Sequence, residues 1–352
     1  MYTKIGDKQF ETKNTTPESL ILQKYFDQMV NERIDSVLME VSSHALHEGR
    51  VHGCDFDIAV FTNLTQDHLD YHGSMEAYLH AKGLLFAQLG NTYRGKTAVL
   101  NQDDPASKEL KKMTCADIIT YGIFNKADVY ATDVKVIPTG TEFTLHLGEE
   151  KERVAISLIG QFSVYNVLAA AAAAYAANVP FAVIKQSIEQ VKGVAGRFEA
   201  VHAGQDFTVI VDYAHTNDSL DNVLETVNQF AEKEVTAIIG CGGDRDRTKR
   251  PLMAKVASTK ATKAIFTADN PRSEDPAEIV ADMVEGLDAD NYEIILERET
   301  AIRTAVNAAE PGDVIVIAGK GHETYQIFHD RTIDFDDREV ARQAIKERLA
   351  SC

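Results

Sequence analysis

From Ile210 onward the chain alternates short apolar runs with helix-patterned stretches about every ten to fifteen residues. Strands are expected at Ile210 to Asp212, Val235 to Gly240, Ala264 to Ala268, Tyr292 to Leu296 and Asp313 to Ala318. Helices are expected at Arg250 to Ser258, Ala277 to Leu287, Glu299 to Ala309 and from Asp337. The alternation of short apolar runs with helical patterns predicts a doubly wound, Rossmann-like parallel sheet. Each run ends in polar residues: Cys241-Gly-Gly-Asp-Arg-Asp-Arg247, Asp269-Asn-Pro-Arg272 and Gly319-Lys-Gly-His-Glu323. Ligands of open α/β sheets bind outside the strand carboxyl ends, so these three clusters should share one edge. Arg245, Arg272, Asn270 and Glu323 on one edge can clamp a zwitterion, guanidinium to carboxylate and carboxylate to ammonium. The plainer reading makes DNP a turn and GKG a flexible loop.

Met39 to Phe86 holds six of the eleven histidines. Ser36 to Val41 and Asp57 to Leu64 read as buried parallel strands. Glu40, Ser42, Ser43 and His44 would then face Asn63, Thr65, Asp67 and His68 across a crevice suited to a hard cation and phosphate. A helix from Ser74 to Leu89 puts Met75, Tyr78, Leu79, Lys82, Leu85 and Phe86 on one face. Lys82 inside that stripe is either a snorkelling lysine or a desolvated, reactive amine. Further strands are expected at Ala98 to Leu100, Ile118 to Tyr121, Asp128 to Val136, Glu142 to Leu147 and Arg153 to Leu158, the last three antiparallel. An alanine-rich helix follows Gly160-Gln-Phe-Ser-Val-Tyr-Asn-Val-Leu168. Lys13 to Glu18 reads as a helix start, with Pro17 after a Thr cap. Gly90 to Thr97 matches the phosphate-loop pattern literally, but it links a helix to a strand, the reverse of the order that aims amide groups at phosphates. Residues 193 to 217 read as a hinge, dividing the chain into 1–195 and 196–352.

Net charge is −18, from 36 basic and 54 acidic residues, which argues against a nucleic-acid partner. No run is apolar enough to span a bilayer, and the start MYTKIGDKQFETKN lacks the apolar core of a signal peptide. Four widely spaced cysteines fit a reduced, cytoplasmic protein. It is expected to bind no membrane and to work as a monomer.

Glu40-Val-Ser-Ser-His44, Thr62-Asn-Leu-Thr-Gln-Asp-His68 and Ala81-Lys-Gly-Leu-Leu-Phe86, in this order, resemble the central ATP-binding domain of the Mur ligases of peptidoglycan synthesis. Arg197-Phe-Glu with Asp212-Tyr-Ala-His215 resembles the junction of those ligases. The resemblance implies a central ATPase domain of mostly parallel sheet plus a small antiparallel sheet, then a Rossmann-like carboxy-terminal domain. It implies an ATP-dependent acid–amino-acid ligase that joins meso-diaminopimelate to UDP-N-acetylmuramoyl-L-alanyl-D-glutamate through an acyl phosphate. By the resemblance, Glu40, His68 and a carboxylated Lys82 hold Mg2+. Asn166, Arg197 and Asp212 contact ATP. Thr15, Thr16, Ser42 and Arg50 contact the muramoyl-dipeptide nucleotide, while Glu48 stands where a neutral amide is expected. Arg245, Asp269, Asn270, Pro271, Arg272, Gly319 and Glu323 contact diaminopimelate, with Arg272 reading the carboxylate that lysine lacks. Ala195 and Asn217 replace common family prolines. The family's phosphate loop and uridine-binding domain would precede this sequence, which implies low ATP turnover by these residues alone. Two other readings stand beside this one: a metal-dependent hydrolase built on Asp67-His-Leu-Asp-Tyr-His72, and a non-catalytic binding fragment.

Overall fold

The computed structural model describes residues 2–12, 14–91, 95–137, 140–193 and 196–351. A hairpin of β1 (Tyr2–Ile5) and β2 (Lys8–Glu11) leads to helix α1 (Ser19–Asn31). The expected Thr cap is not made. Glu18 precedes the first turn without a side-chain cap. Thr16 is fully buried and uses its hydroxyl elsewhere, donating to Glu40 O (2.9 Å) and accepting from Ser42 N (3.0 Å).

The first α/β unit continues with α2 (Ser43–His47), β3 (Ile58–Phe61), α3 (Leu69–His72), α4 (Met75–Gln88), β4 (Thr97–Asn101) and α5 (Ser107–Met113). It is completed by β5 (Asp117–Gly122), β6 (Val129–Ile137), β7 (Gly140–Leu147), β8 (Glu150–Ile156), α6 (Gln161–Ala176) and α7 (Phe181–Gln190). The strands lie in the order β3-β4-β5-β6-β7-β8, parallel from β3 to β6 and antiparallel from β6 to β8. The small residues Ala169, Ala171 and Ala172 let α6 lie close on one sheet face, while Phe86 and Leu89 with Leu110 close the other.

Two expectations here need correction. Ser36 to Val41 is extended but joins no ladder among the described residues, where β3 is the sheet edge. Its Met39 and Val41 pack beside Leu22, Leu46 and Val51, while Leu38 stays 93% exposed. An apolar run becomes a strand only beside a neighbour whose ladder is open to it. The single stripe on α4 is also too simple. Tyr78, Ala81, Gly83 and Phe86 are all buried, because α5 covers a second side; a Cβ on Gly83 would lie 2.5 Å from the Met113 sulfur. Thr92 to Arg94 of the rejected loop pattern lie outside the described residues. Lys96 from that pattern donates to Asp55 (3.1 Å) and Asp57 (2.7 Å), so its ammonium is already paired.

The second unit consists of β9 (Glu199–Ala200), β10 (Thr208–Asp212), α8 (Asn217–Asn228), β11 (Val235–Ile239), α9 (Lys249–Lys260), β12 (Lys263–Phe266), α10 (Pro276–Val284), β13 (Tyr292–Ile294), α11 (Arg298–Ala308) and β14 (Val314–Ala318), and the five expected strands and the expected helices are all present, with α8 added between the first two of those strands. A hairpin of β15 (Tyr325–Ile327) and β16 (Thr332–Asp334), and the short β9, are not evident from the sequence pattern. Helix α12 (Asp337–Ser351) ends the chain. The sheet order is β13-β12-β11-β14-β10-β9, all parallel except β9. Strands β14, β11 and β12 are thus neighbours. Their carboxyl ends carry the three polar clusters side by side.

Candidate functional site

The three clusters interlock. Asn270 is buried and donates from Nδ2 to Glu323 Oε2 (2.8 Å), while its Oδ1 accepts from Lys320 Nζ (3.2 Å) and Ile327 N (3.0 Å). Lys320 is fully buried and also donates to Glu323 Oε2 (3.1 Å). One oxygen of Glu323 is therefore held by two donors, and the Tyr325 hydroxyl also lies within reach of this carboxylate. Sequence reasoning missed Lys320 and the role of its buried ammonium. The available signal was the need to neutralise Glu323 in a closed turn. Asp269 accepts from Asn270 N (2.6 Å), and a Cβ on Gly319 would lie 2.4 Å from its Oδ2, so only glycine fits there. Pro271 O leaves no room for a Cβ on Gly243. Arg272 sits at φ 52° and donates Nη1 to Gly243 O (2.7 Å), which fastens the second cluster to the first. Arg245 is exposed and donates to Asp244 O at 3.2 Å. All seven residues expected to contact the amino acid lie on these interlocked loops.

The other crevice is looser. His68 has φ 56°, a left-handed conformation that non-glycine residues adopt at a cost of about 1–3 kcal/mol and that concentrates at working sites. Burial lowers the His68 pKa, against the pull of Asp67, and favours the neutral imidazole. Burial likewise lowers the Lys82 pKa; Glu40, Asp104 and Asp67 lie close enough to oppose that shift. Lys82 Nζ lies 5.0 Å above the Tyr78 ring. Glu40 is exposed, and its backbone carbonyl is held by Thr16. The structure therefore brings Glu40, Asp67 and Lys82 into one electrostatic neighbourhood with His68 beside Asp67. Among the described residues no three His, Cys, Asp or Glu side chains are gathered at metal-binding distance. Mg2+ ordinarily takes one or two protein carboxylates plus water and substrate phosphate, so the oxygen donors here fit a metal delivered with nucleotide. The two-metal geometry a hydrolase would need from Asp67 to His72 is not assembled.

Asp67 instead joins the two units. It lies 3.6 Å from His68 Nε2 and 3.7 Å from His215 Nε2, a residue of the loop after β10. Burial alone would raise its carboxyl, yet the hydrogen bond from His215 and the charges of His68, His215 and Lys249 hold it well below the usual carboxylate range. Beside it runs a cleft of about 440 Å³, lined on one wall by Asn63, Thr65, Asp103 and Asn166 and on the other by Asp218 and Asn222 of α8. Asn166 thus occupies a position suited to a nucleotide base. Arg197 does not line that cleft; it stacks 4.6 Å above the Tyr213 ring. Asp212 accepts from Phe198 N (2.7 Å) and Ala214 N (2.7 Å), so it fastens the hinge. Val194 and Ala195 lie outside the described residues.

Thr16, Ser42 and Arg50 lie together. Arg50 donates to Thr16 O (3.1 Å), and Ser42 caps α2 by accepting from Ala45 N (3.2 Å). Thr15 is half-buried next to Thr16. Glu48 pairs with Arg50 at 2.5 Å and accepts from Tyr71 at 3.3 Å. An acid here offsets the charge that Arg50 would offer an anion.

Comparison with known proteins fits this arrangement. Residues 1–174 match the Mur ligase middle domain, and residues 196–321 match the Mur ligase, glutamate ligase domain. A UDP-N-acetylmuramoyl-L-alanyl-D-glutamate--2,6-diaminopimelate ligase of Halalkalibacterium halodurans is 63% identical over 348 residues, covering 99% of this chain and 72% of that protein. The chain belongs to the Mur ligase family. A ligase of the same name from Listeria monocytogenes serovar 1/2a is 56% identical, covering 99% of this chain and 72% of its own length. A solved structure of such a ligase superposes with a TM-score of 0.65 at 38% identity, covering 95% of this chain and 69% of that one. The MurF ligase of Thermotoga maritima, solved with ADP, shares the fold at a TM-score of 0.64 and 14% identity, covering 88% of this chain and 66% of its own. No described helix is long and apolar enough to cross a membrane.

Proposed function

We propose that the chain is the ATP-dependent ligase that adds meso-diaminopimelate to UDP-N-acetylmuramoyl-L-alanyl-D-glutamate during cytoplasmic peptidoglycan precursor synthesis. The observation that carries this reading is the weld of Asn270, Lys320, Glu323 and Arg272 across three adjacent strand ends, in a chain 63% identical to a ligase of that name. Residues 1–195 handle nucleotide and residues 196–352 handle the amino acid. Asn166 contacts the adenine nucleotide in the cleft, with Arg197 and Asp212 at the hinge. Thr15, Thr16, Ser42 and Arg50 hold the muramoyl-dipeptide nucleotide.

ATP phosphorylates the terminal D-glutamate carboxylate, releasing ADP. An amine of diaminopimelate then attacks the acyl carbon, loses a proton, and the tetrahedral intermediate expels phosphate. Glu323 Oε1 and Arg272 hold an ammonium and the distal carboxylate, so that only one amine is aimed at the acyl phosphate. Lys82, desolvated, loses the ammonium proton, and its neutral Nζ bonds to carbon dioxide with release of a second proton, leaving a carbamate whose oxygen lies beside Glu40 and His68. These three groups would hold Mg2+, which would supply neutralisation of phosphate charge when bound.

The test is mass spectrometry of the nucleotide after incubation with ATP, Mg2+ and one amino acid. A product heavier by one diaminopimelate residue is expected, with little lysine adduct. Equal incorporation of L-lysine, or free D-glutamyl acid with ATP consumed, would overturn the proposal.

A further inference from the structure

Beneath the amino-acid loops lies a charged pair with no contact to solvent. Arg298 begins α11 and Asp337 begins α12, and both side chains are 0% exposed. The guanidinium donates Nε to Asp337 Oδ1 (2.7 Å) and Nη2 to Asp337 Oδ2 (2.8 Å). Two further N–H groups go to backbone carbonyls: Nη2 to Ala318 O (3.0 Å) and Nη1 to Ala268 O (3.4 Å). Ala268 directly precedes Asp269, and Ala318 directly precedes Gly319. One planar side chain therefore spans the strand ends from which both recognition loops depart.

Stability does not call for this arrangement. Burying two charges costs several kcal/mol per ion, and apolar replacements of such pairs are often neutral or stabilising. A cation at the first residue of a helix also opposes the helix dipole. The rigid fork does supply fixed spacing between two carbonyls. That spacing has little tolerance, because Gly319 and Asp269 Oδ2 are too close for a methyl group and the Asn270–Glu323 bond is only 2.8 Å.

We propose that Arg298, oriented by Asp337, is a positioning residue for amino-acid selection, setting the separation of the Asp269–Arg272 and Gly319–Glu323 loops. This rests on the reading that those loops take meso-diaminopimelate. The test is calorimetric titration of the chain with meso-diaminopimelate and, separately, L-lysine, with the muramoyl-dipeptide nucleotide and a non-hydrolysable ATP analogue present. Arg298→Met and Asp337→Asn are expected to melt cooperatively and to bind the ATP analogue as the parent does. They should bind meso-diaminopimelate about tenfold to a hundredfold more weakly, with a reduced preference over lysine. Arg298→Lys should recover part of that loss, which a purely space-filling role would not require. Folded Arg298→Met or Asp337→Asn with parental affinity and preference overturns the proposal. Should the methionine variant fail to fold, the isosteric Asp337→Asn decides by the same criteria. A parental chain that ignores meso-diaminopimelate overturns the functional reading and this proposal together, whereas a parent that binds beside variants that bind equally well overturns this proposal alone.

Discussion

The two crevices are built in opposite ways. On the second sheet, Asn270, Lys320 and Asp269 are buried and bonded to one another, and buried Arg298 bonds the backbone just before two of the loops, so the loop geometry exists without ligand. On the first, Glu40 is exposed, Lys82 lies over the Tyr78 face with opposing charges at a distance, and His68 holds a strained backbone. The difference fits the roles proposed for the two crevices. Choosing between two similar amino acids requires polar groups fixed in advance, because a wrong ligand is rejected by leaving them unpaired. Holding a metal and a transferring phosphoryl group requires donors that the ligand completes. Preorganisation should therefore appear as stability in one crevice and as its absence in the other.

The largest expected effect tests the fixed side. Asn270→Ala removes the partner of Ile327 N and weakens the pairing of Lys320, and should cost about 2–4 kcal/mol in thermal or urea unfolding. A loss under about 0.5 kcal/mol would mean that the weld is not preorganised. Arg272 separates recognition from folding. Arg272→Gly relieves a left-handed backbone at 52° and should leave stability unchanged or higher. It should weaken meso-diaminopimelate binding about tenfold to a hundredfold, as expected for a charged hydrogen bond worth about 1.5–3 kcal/mol, with little change for lysine. Equal weakening for both amino acids would deny Arg272 the distal carboxylate.

The same contrast explains what the sequence made legible. The second unit could be read almost element by element, because buried parallel strands are uninterrupted apolar runs and their polar ends mark the ligand edge. Lys320, Arg298 and Asp337 escaped notice because nothing local distinguishes a buried charge from a solvated one; only the fold brings Asp337 under Ala268 and Ala318. In the first unit, Ser36 to Val41 has the composition of a strand, yet pairing depends on a neighbouring chain segment and not on composition. Thr16 looked like a cap because its local pattern is that of a helix start, while its actual partners are 24 and 26 residues away. Asp67 and His215 lie on different units, so their contact had no signal within either motif.

The open side makes a prediction of the opposite sign. Lys82→Met keeps the stem and removes a desolvated ammonium, so it should stabilise the chain by about 1 kcal/mol near neutral pH. Because burial lowers the folded-state pKa of Lys82 below the ordinary lysine value of 10.5, the unfolded chain binds more protons between those two values. The stability of the parent should accordingly rise relative to Lys82→Met as pH climbs through that window, and the gap should close. With 13C-bicarbonate the parent should show a carbamate carbon resonance that the variant lacks. A variant less stable than the parent at neutral pH would show that the ammonium is paired after all.

The smallest effect concerns the contact between the crevices. His215 is 42% exposed, so His215→Ala should cost only about 0.5 kcal/mol, the range of a surface ion pair. Its consequence is local because Asp67 then loses its ion pair to the loop after β10 and keeps His68 at 3.6 Å and the more distant charge of Lys249. Amide exchange should quicken at residues 65–68 and 213–216 while remaining unchanged at Asn270 and Ile327, whose bonds lie wholly within the second unit. Faster exchange at all four segments would mean that the amino-acid loops depend on the union of the two units, and the fixed crevice would then owe its geometry to the open one.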